Sequence, residues 1–135
     1  MSSPVIAPPL AGNVVGSETD GFLIAEWRDA GGLPGDRRLI APPHLHYHDD
    51  EAWYVLEGTL HVQVGEKEVA APAGSAVFVP RGMAHTYWNP GPGPARYLLV
   101  MTANTYRLIQ AIHAAKDRST PALRELFTTY DSELL

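Results

Sequence analysis

Residues 43–58 read Pro-His-Leu-His-Tyr-His-Asp-Asp-Glu-Ala-Trp-Tyr-Val-Leu-Glu-Gly, gathering His44, His46, His48 and Glu51 ahead of an apolar run. On an extended segment, alternation puts the three imidazoles on one face. Neutral imidazole nitrogen with carboxylate oxygen is the usual ligand set for a borderline or hard divalent metal, and the chain has no cysteine to supply thiolate. A second stretch, residues 74–89, has a short apolar run at 76–79, a Pro80-Arg81-Gly82 turn and then His85 at the start of a new strand. Two such strands would bring His85 opposite His44 and His46. Buried without a cation, three imidazoles and a carboxylate would each need another partner, at about 1–3 kcal/mol for every failure.

These two stretches resemble the paired signature motifs of the cupin superfamily. His44, His46, Glu51 and Gly58 fall on Gly-x5-His-x-His-x4-Glu-x6-Gly, and Gly74, Pro80, Gly82, His85 and Asn89 fall on Gly-x5-Pro-x-Gly-x2-His-x3-Asn. The departure is Arg38, which stands where the first motif has its leading glycine; Gly35 suggests that the turn is shifted. The resemblance implies that His44, His46, Glu51 and His85 hold one divalent transition metal: iron, manganese, nickel, cobalt, copper or zinc. It also implies an all-β fold, a double-stranded β-helix or jelly-roll barrel. The closing residues 130–135 are similar to the tail of quercetin-dioxygenase-like single-domain cupins.

The elements that must position these groups follow in order. Residues 1–12 carry Pro4, Pro8 and Pro9, which cannot donate to a ladder, and read as an arm. Strands are expected at 22–27, 37–41, 53–56, 60–64, 67–71, 76–79 and 97–101, with a hairpin turn at Gly65-Glu66 and loops at 29–35 and 89–94. Pro42 and Pro43 hold the chain extended as it enters the ligand segment. Short strands at regular spacing favour a barrel over an α/β fold. After Thr102 the period changes: Leu108, Ile109, Ile112 and Ala115 recur at helical spacing with Asn104 placed to cap. Thr120-Pro121 opens a second helix striped by Leu123, Leu126 and Phe127. The expected organisation is an arm at 1–12, a barrel at 13–103 and a helical extension at 104–135 covering one opening or edge.

At 135 residues and 45% hydrophobic content the chain suits one domain. A net charge of −5 with ten scattered Lys and Arg residues argues against nucleic acid or an anionic membrane as partner. No apolar run is long enough to span a bilayer and no signal-peptide pattern opens the chain, so a soluble cytoplasmic protein is expected. The open edges of a small barrel and the apolar arm suggest a homodimer.

Alternation selects Trp53 and Tyr87 as pocket walls around a small-molecule substrate. His48 shares the face of His44 and His46 and is expected at the pocket rim or in solvent, with replacement of one of those ligands as the alternative. His61 and His113 read as ordinary residues, and Asp49, Asp50 and Glu57 as solvated acids, with Asp49 or Asp50 orienting a ligand imidazole as the alternative. Three nitrogens and one carboxylate leave two positions open on a six-coordinate metal. The family analogy then suggests an oxygenase of the quercetinase-like kind acting on an enolic or aromatic substrate, with Glu51 taking the substrate's proton. The same ligands serve a non-oxidative isomerase, decarboxylase or cyclase, or a non-catalytic binding domain.

Overall fold

A computed structural model describes residues 5–35 and 37–135. Its strands are β1 (Val14–Val15), β2 (Leu23–Asp29), β3 (Leu39–His46), β4 (Glu51–Glu57), β5 (Thr59–Val64), β6 (Lys67–Pro72), β7 (Ala76–Val79), β8 (His85–Trp88), β9 (Ala95–Met101) and β10 (Ser132–Leu134), with helices α1 (Ala103–Ala114) and α2 (Thr120–Thr129) between the last two. They form two antiparallel five-stranded sheets, ordered β1-β2-β9-β4-β7 and β10-β3-β8-β5-β6. The pairs β5–β6, β4–β7, β3–β8 and β2–β9 nest outward from one hairpin and alternate between the sheets. This is the double-stranded β-helix expected from the sequence.

Alternation builds the core. Ala95, Tyr97, Leu99 and Met101 of β9 face inward, as do Trp53 and Val55 of β4 and Leu60 and Val62 of β5, and all are buried between the sheets. Losing the Trp53 ring would cost about 3–5 kcal/mol through transfer and cavity terms. Gly58 joins β4 to β5 at φ +74°, and a Cβ there would lie 2.3 Å from the Pro94 carbonyl oxygen. The motif glycine is therefore a requirement of close backbone approach. Asn89 ties down the proline-rich loop: its Nδ2 donates to Gly93 O at 2.8 Å and its Oδ1 accepts from Gly91 N at 3.0 Å. Arg38, in the place of the missing motif glycine, is exposed and pairs with Asp29 at 3.1 Å, while Gly35 has φ +80°.

Four local expectations change. β3 continues through Pro42 and Pro43, because register shifts between Leu39, Ala41 and His44 accommodate residues that cannot donate. The cap of α1 is Thr102, whose Oγ1 accepts from Thr105 N at 3.2 Å, and not Asn104. Residues 14–15 add a short strand beside β2. The extension expected to be helical ends in β10, which pairs with β3 through Ser132↔His46 and Leu134↔His44. Asp131 at φ +58° turns the chain out of α2 into that strand.

Of the expected arm, residues 1–4 lie outside the described residues; 5–10 carry no strand, and Val5 and Ile6 are exposed. Among the described residues no helix is long and apolar enough to cross a membrane.

Candidate metal centre

Three barrel strands converge on one point. β3 presents His44 and His46 at its C-terminal end, β4 opens with Glu51, and β8 opens with His85, the register partner of His44. The bond from Gly82 N to His46 O, 2.6 Å, fixes the turn before β8 to the end of β3. One ligand atom from each of the four side chains lies within 4.8 Å of every other, and all four residues are buried.

Each imidazole is held from behind. Nδ1 of His44 is 2.6 Å from Pro42 O, Nδ1 of His85 is 2.9 Å from Met83 O, and Nδ1 of His46 is 2.7 Å from Ser132 Oγ. Carbonyl oxygens only accept, so Nδ1–H donates in the first two pairs. Ser132 Oγ donates to Tyr130 O at 3.1 Å, which leaves it accepting from His46. The Nε2 atoms are thereby directed inward without protons.

His46 Nε2 and His85 Nε2 are fully buried and have no hydrogen-bond partner. Glu51 oxygens lie 3.4 Å and 3.3 Å from them, without the alignment of a bond. Buried nitrogen lone pairs left this way are costly unless something else occupies the space they face. A divalent metal fits that requirement, and the nitrogen and oxygen donors suit a first-row ion.

Electrostatics agree. Burial, followed by the neighbouring His85 and His46, pushes the His44 imidazole down to about 3, so it stays neutral. Burial alone would push the Glu51 carboxyl up, but polar contact with His46 and His85 outweighs it and holds the group down to about 2.

Beside these residues a cavity of about 330 Å³ opens between the sheets. Tyr87, Tyr97 and Leu99 form part of its barrel wall, while Leu108, Ile109 and Ile112 of α1 and Phe127 of α2 roof it. The two helices thus cover one opening, as expected. Tyr87 and Tyr97 share a hydroxyl contact of 3.0 Å. Burial raises both phenols, Tyr97 to about 12 and Tyr87 well above its ordinary value, so both are neutral.

Of the residues expected around the pocket, Tyr87 lines it and two others do not. Trp53 is packed behind the wall, edge-on to Tyr87 at 5.3 Å and to His85 at 5.8 Å. His48 is turned into solvent and pairs with Asp131. Its alternation with His44 and His46 fails because β3 stops at His46, so the next two residues no longer follow the pleat.

Asp49, expected in solvent, is buried. It accepts from Thr102 Oγ1 at 2.8 Å and Asn104 Nδ2 at 2.9 Å and so anchors the start of α1. Asp50 pairs with Arg81 at 2.9 Å, which holds its carboxyl down to about 2. Neither carboxylate touches a ligand imidazole. His61 sits 3.3 Å from Glu68, and exposed His113 borders the cavity mouth. Tyr97 was legible by alternation with Leu99 and Met101. Ser132 carried no local signal.

The family model described as "Cupin domain" matches residues 36–101. Mannose-1-phosphate guanylyltransferase 2 of Escherichia coli O157:H7 is 33% identical over 74 residues, covering 50% of this chain and 15% of that protein. Tetracenomycin polyketide synthase protein TcmJ of Streptomyces glaucescens is 42% identical over 53 residues, covering 39% of this chain and 36% of that protein. Both overlaps span far less than two thirds of the relative. The solved structure of the polyketide cyclase RemF from Streptomyces resistomycificus is 26% identical with a TM-score of 0.51, over 63% of this chain and 56% of that one.

Proposed function

The chain belongs to the cupin superfamily, and we propose that His44, His46, Glu51 and His85 hold one divalent transition metal beside a cavity that binds a small, largely apolar enolic or phenolic compound. The site converts that compound by proton transfer without net oxidation, as an isomerase or cyclase does. The observation that carries the substrate class is the lining. Apart from the ligand cluster, Thr105, and Arg28 and His113, both exposed, it is aliphatic and aromatic, and among the described lining residues Arg28 is the single guanidinium or ammonium group. A sugar phosphate would call for a basic cluster to take its charge. The names of TcmJ and RemF, both concerned with polyketides, support the same substrate class.

The metal, when bound, supplies a Lewis acid that polarises a substrate oxygen. The chain's own residues do the rest. His44, His46 and His85 are fixed in ring orientation by Pro42, Ser132 and Met83, so the ligand atoms are preorganised. Glu51 is the sole carboxylate among the described lining residues and receives the substrate's proton. Held as the carboxylate, it is placed to accept the proton of an enol or phenol hydroxyl. The helical roof keeps bulk water from the reacting atoms.

The test is product analysis with metal-reconstituted protein and a panel of 1,3-diketones and polyhydroxylated aromatics, in air and under strict anaerobiosis, with His46→Ala as control. Conversion without dioxygen, lost in the variant, supports the reading. Consumption of dioxygen in step with product moves the site to the dioxygenase chemistry of the quercetinase-like kind. Binding with no conversion in either atmosphere leaves a ligand-binding cupin. The homodimer expected from the open edges is part of the proposal, and a strictly monomeric mass by light scattering counts against it.

A further inference from the structure

The hydroxyl groups of Tyr87 and Tyr97 lie 3.0 Å apart on the cavity wall, and both side chains are nearly inaccessible, at 5% and 2% exposure. Each hydroxyl carries one proton, and the bond between them uses one of the two. Among the described residues neither oxygen has a further acceptor. Trp53 approaches the Tyr87 hydroxyl, but an indole N–H only donates, so it uses none of the pair's protons. Whichever tyrosine donates to the other, one O–H is left over in a buried place. Of the other cavity-lining side chains, Ile40, Leu99, Leu108 and Ile109 offer no acceptor, and Glu51, whose charge reaches both phenols, makes no hydrogen bond to either hydroxyl among the described residues. Buried donors of this kind are matched by a partner in the working state of a protein.

We propose that the Tyr87–Tyr97 pair is a recognition site for a second oxygen of the substrate, a neutral acceptor such as a ketone, quinone or lactone carbonyl, set in the wall apart from the His44–His46–Glu51–His85 cluster. The inference rests on the reading of the cavity as the substrate site. It makes the substrate a compound with two oxygens on an apolar frame, one for the ligand cluster and one for the tyrosines. A hydroxyl reading of this kind discriminates by absence: an analogue lacking the oxygen leaves the buried donor unmatched.

The probes are fluorene and 9-fluorenone, which share one tricyclic skeleton and differ by a carbonyl. Affinities are measured for zinc-loaded and metal-free wild type, Tyr87→Phe, Tyr97→Phe and the double variant, together with the infrared carbonyl band of bound 9-fluorenone. The wild type is expected to prefer 9-fluorenone by about tenfold, the net worth of one hydrogen bond, with the carbonyl band lowered. The double variant is expected to lose the preference and return the band towards its apolar-solvent position. Each single variant, which keeps one free hydroxyl proton, retains part of both effects. Unchanged fluorene affinity shows that the cavity survives the substitutions.

Equal affinities in the wild type overturn the proposal while leaving the apolar substrate cavity intact. So does a preference that survives in the double variant and vanishes without zinc, since the carbonyl then reads the metal. If neither probe binds, the reading of the cavity as an apolar substrate site falls, and the tyrosine assignment with it.

Discussion

The imidazole Nδ1 of His46 and the hydroxyl oxygen of Ser132 lie 2.7 Å apart, although 86 residues separate them in the chain. β10 pairs with the ligand strand so that Ser132 stands directly opposite His46. The C-terminal segment is thus part of the candidate metal centre. Ser132→Ala is expected to weaken metal binding about 10–100-fold, the usual cost of losing a partner behind a ligand imidazole. Chelator competition measures it, and Ser132→Thr, which keeps the hydroxyl, should restore most of the affinity. Equal affinities for wild type and Ser132→Ala would leave the hydroxyl with no role at the site.

The four ligand residues should fail unequally but all fail. Elemental analysis of reconstituted protein is expected to find one first-row metal per chain, and His46→Ala or His85→Ala to lose it, because each removes one of the buried Nε2 atoms that have no other partner. Glu51→Gln keeps the shape but removes the anion, so retention is expected to drop with little change in fold. Full occupancy in all three variants would locate the metal elsewhere.

The metal-free protein should be sensitive to acid. His44 in the fold is pushed down to about 3 from an ordinary value of 6.5, and Glu51 down to about 2 from 4.5. In both cases the unfolded chain binds the proton first as pH falls. Stability is therefore expected to decline from about pH 6.5 towards pH 3 through His44, with Glu51 adding to the loss below about pH 4.5. Urea denaturation of chelator-treated protein at several pH values measures the slope, and His44→Gln should flatten its upper part. A flat wild-type profile over that range contradicts the assigned protonation states.

Asp49 holds the first turn of α1 through Thr102 and Asn104. Asp49→Ala removes the acceptor of the Thr102 hydroxyl and of one Asn104 N–H, leaving Thr102 a longer contact with Thr105 Oγ1 at 3.4 Å and Asn104 its bond to Tyr130 O at 2.7 Å, and is expected to cost about 1–3 kcal/mol of stability, read as a lower urea midpoint. Metal stoichiometry should stay at the wild-type value, because Asp49 touches no ligand imidazole.

Gly58→Ala should be more damaging than its size suggests. The added methyl meets the Pro94 carbonyl oxygen, and the left-handed backbone there is strained for any other residue. A loss beyond about 1 kcal/mol is expected, measured by thermal unfolding; a neutral effect would mean that the β4–β5 turn can move.

The clustering of His44, His46, Glu51 and His85, the wall position of Tyr87 and most strand positions were legible in the sequence. They follow from rules that act between neighbours in the chain: alternation along a strand, glycine where the backbone turns back, proline where it stays extended. The same rules misled on the face of His48, which lies in solvent, one of its two expected places, because the strand ends before the pattern does, and at Asp49, where an acidic loop residue is buried by a helix that begins 54 residues later. Ser132 behind His46 was decided by the tertiary structure alone, as was which opening the helices, expected over one opening or edge, come to roof. Each depends on how β10 and the helices return to the ligand strand. That return is fixed by burial of Leu108, Phe127 and Leu134 in one cluster and by the open edge of β3, not by any spacing within the segment itself.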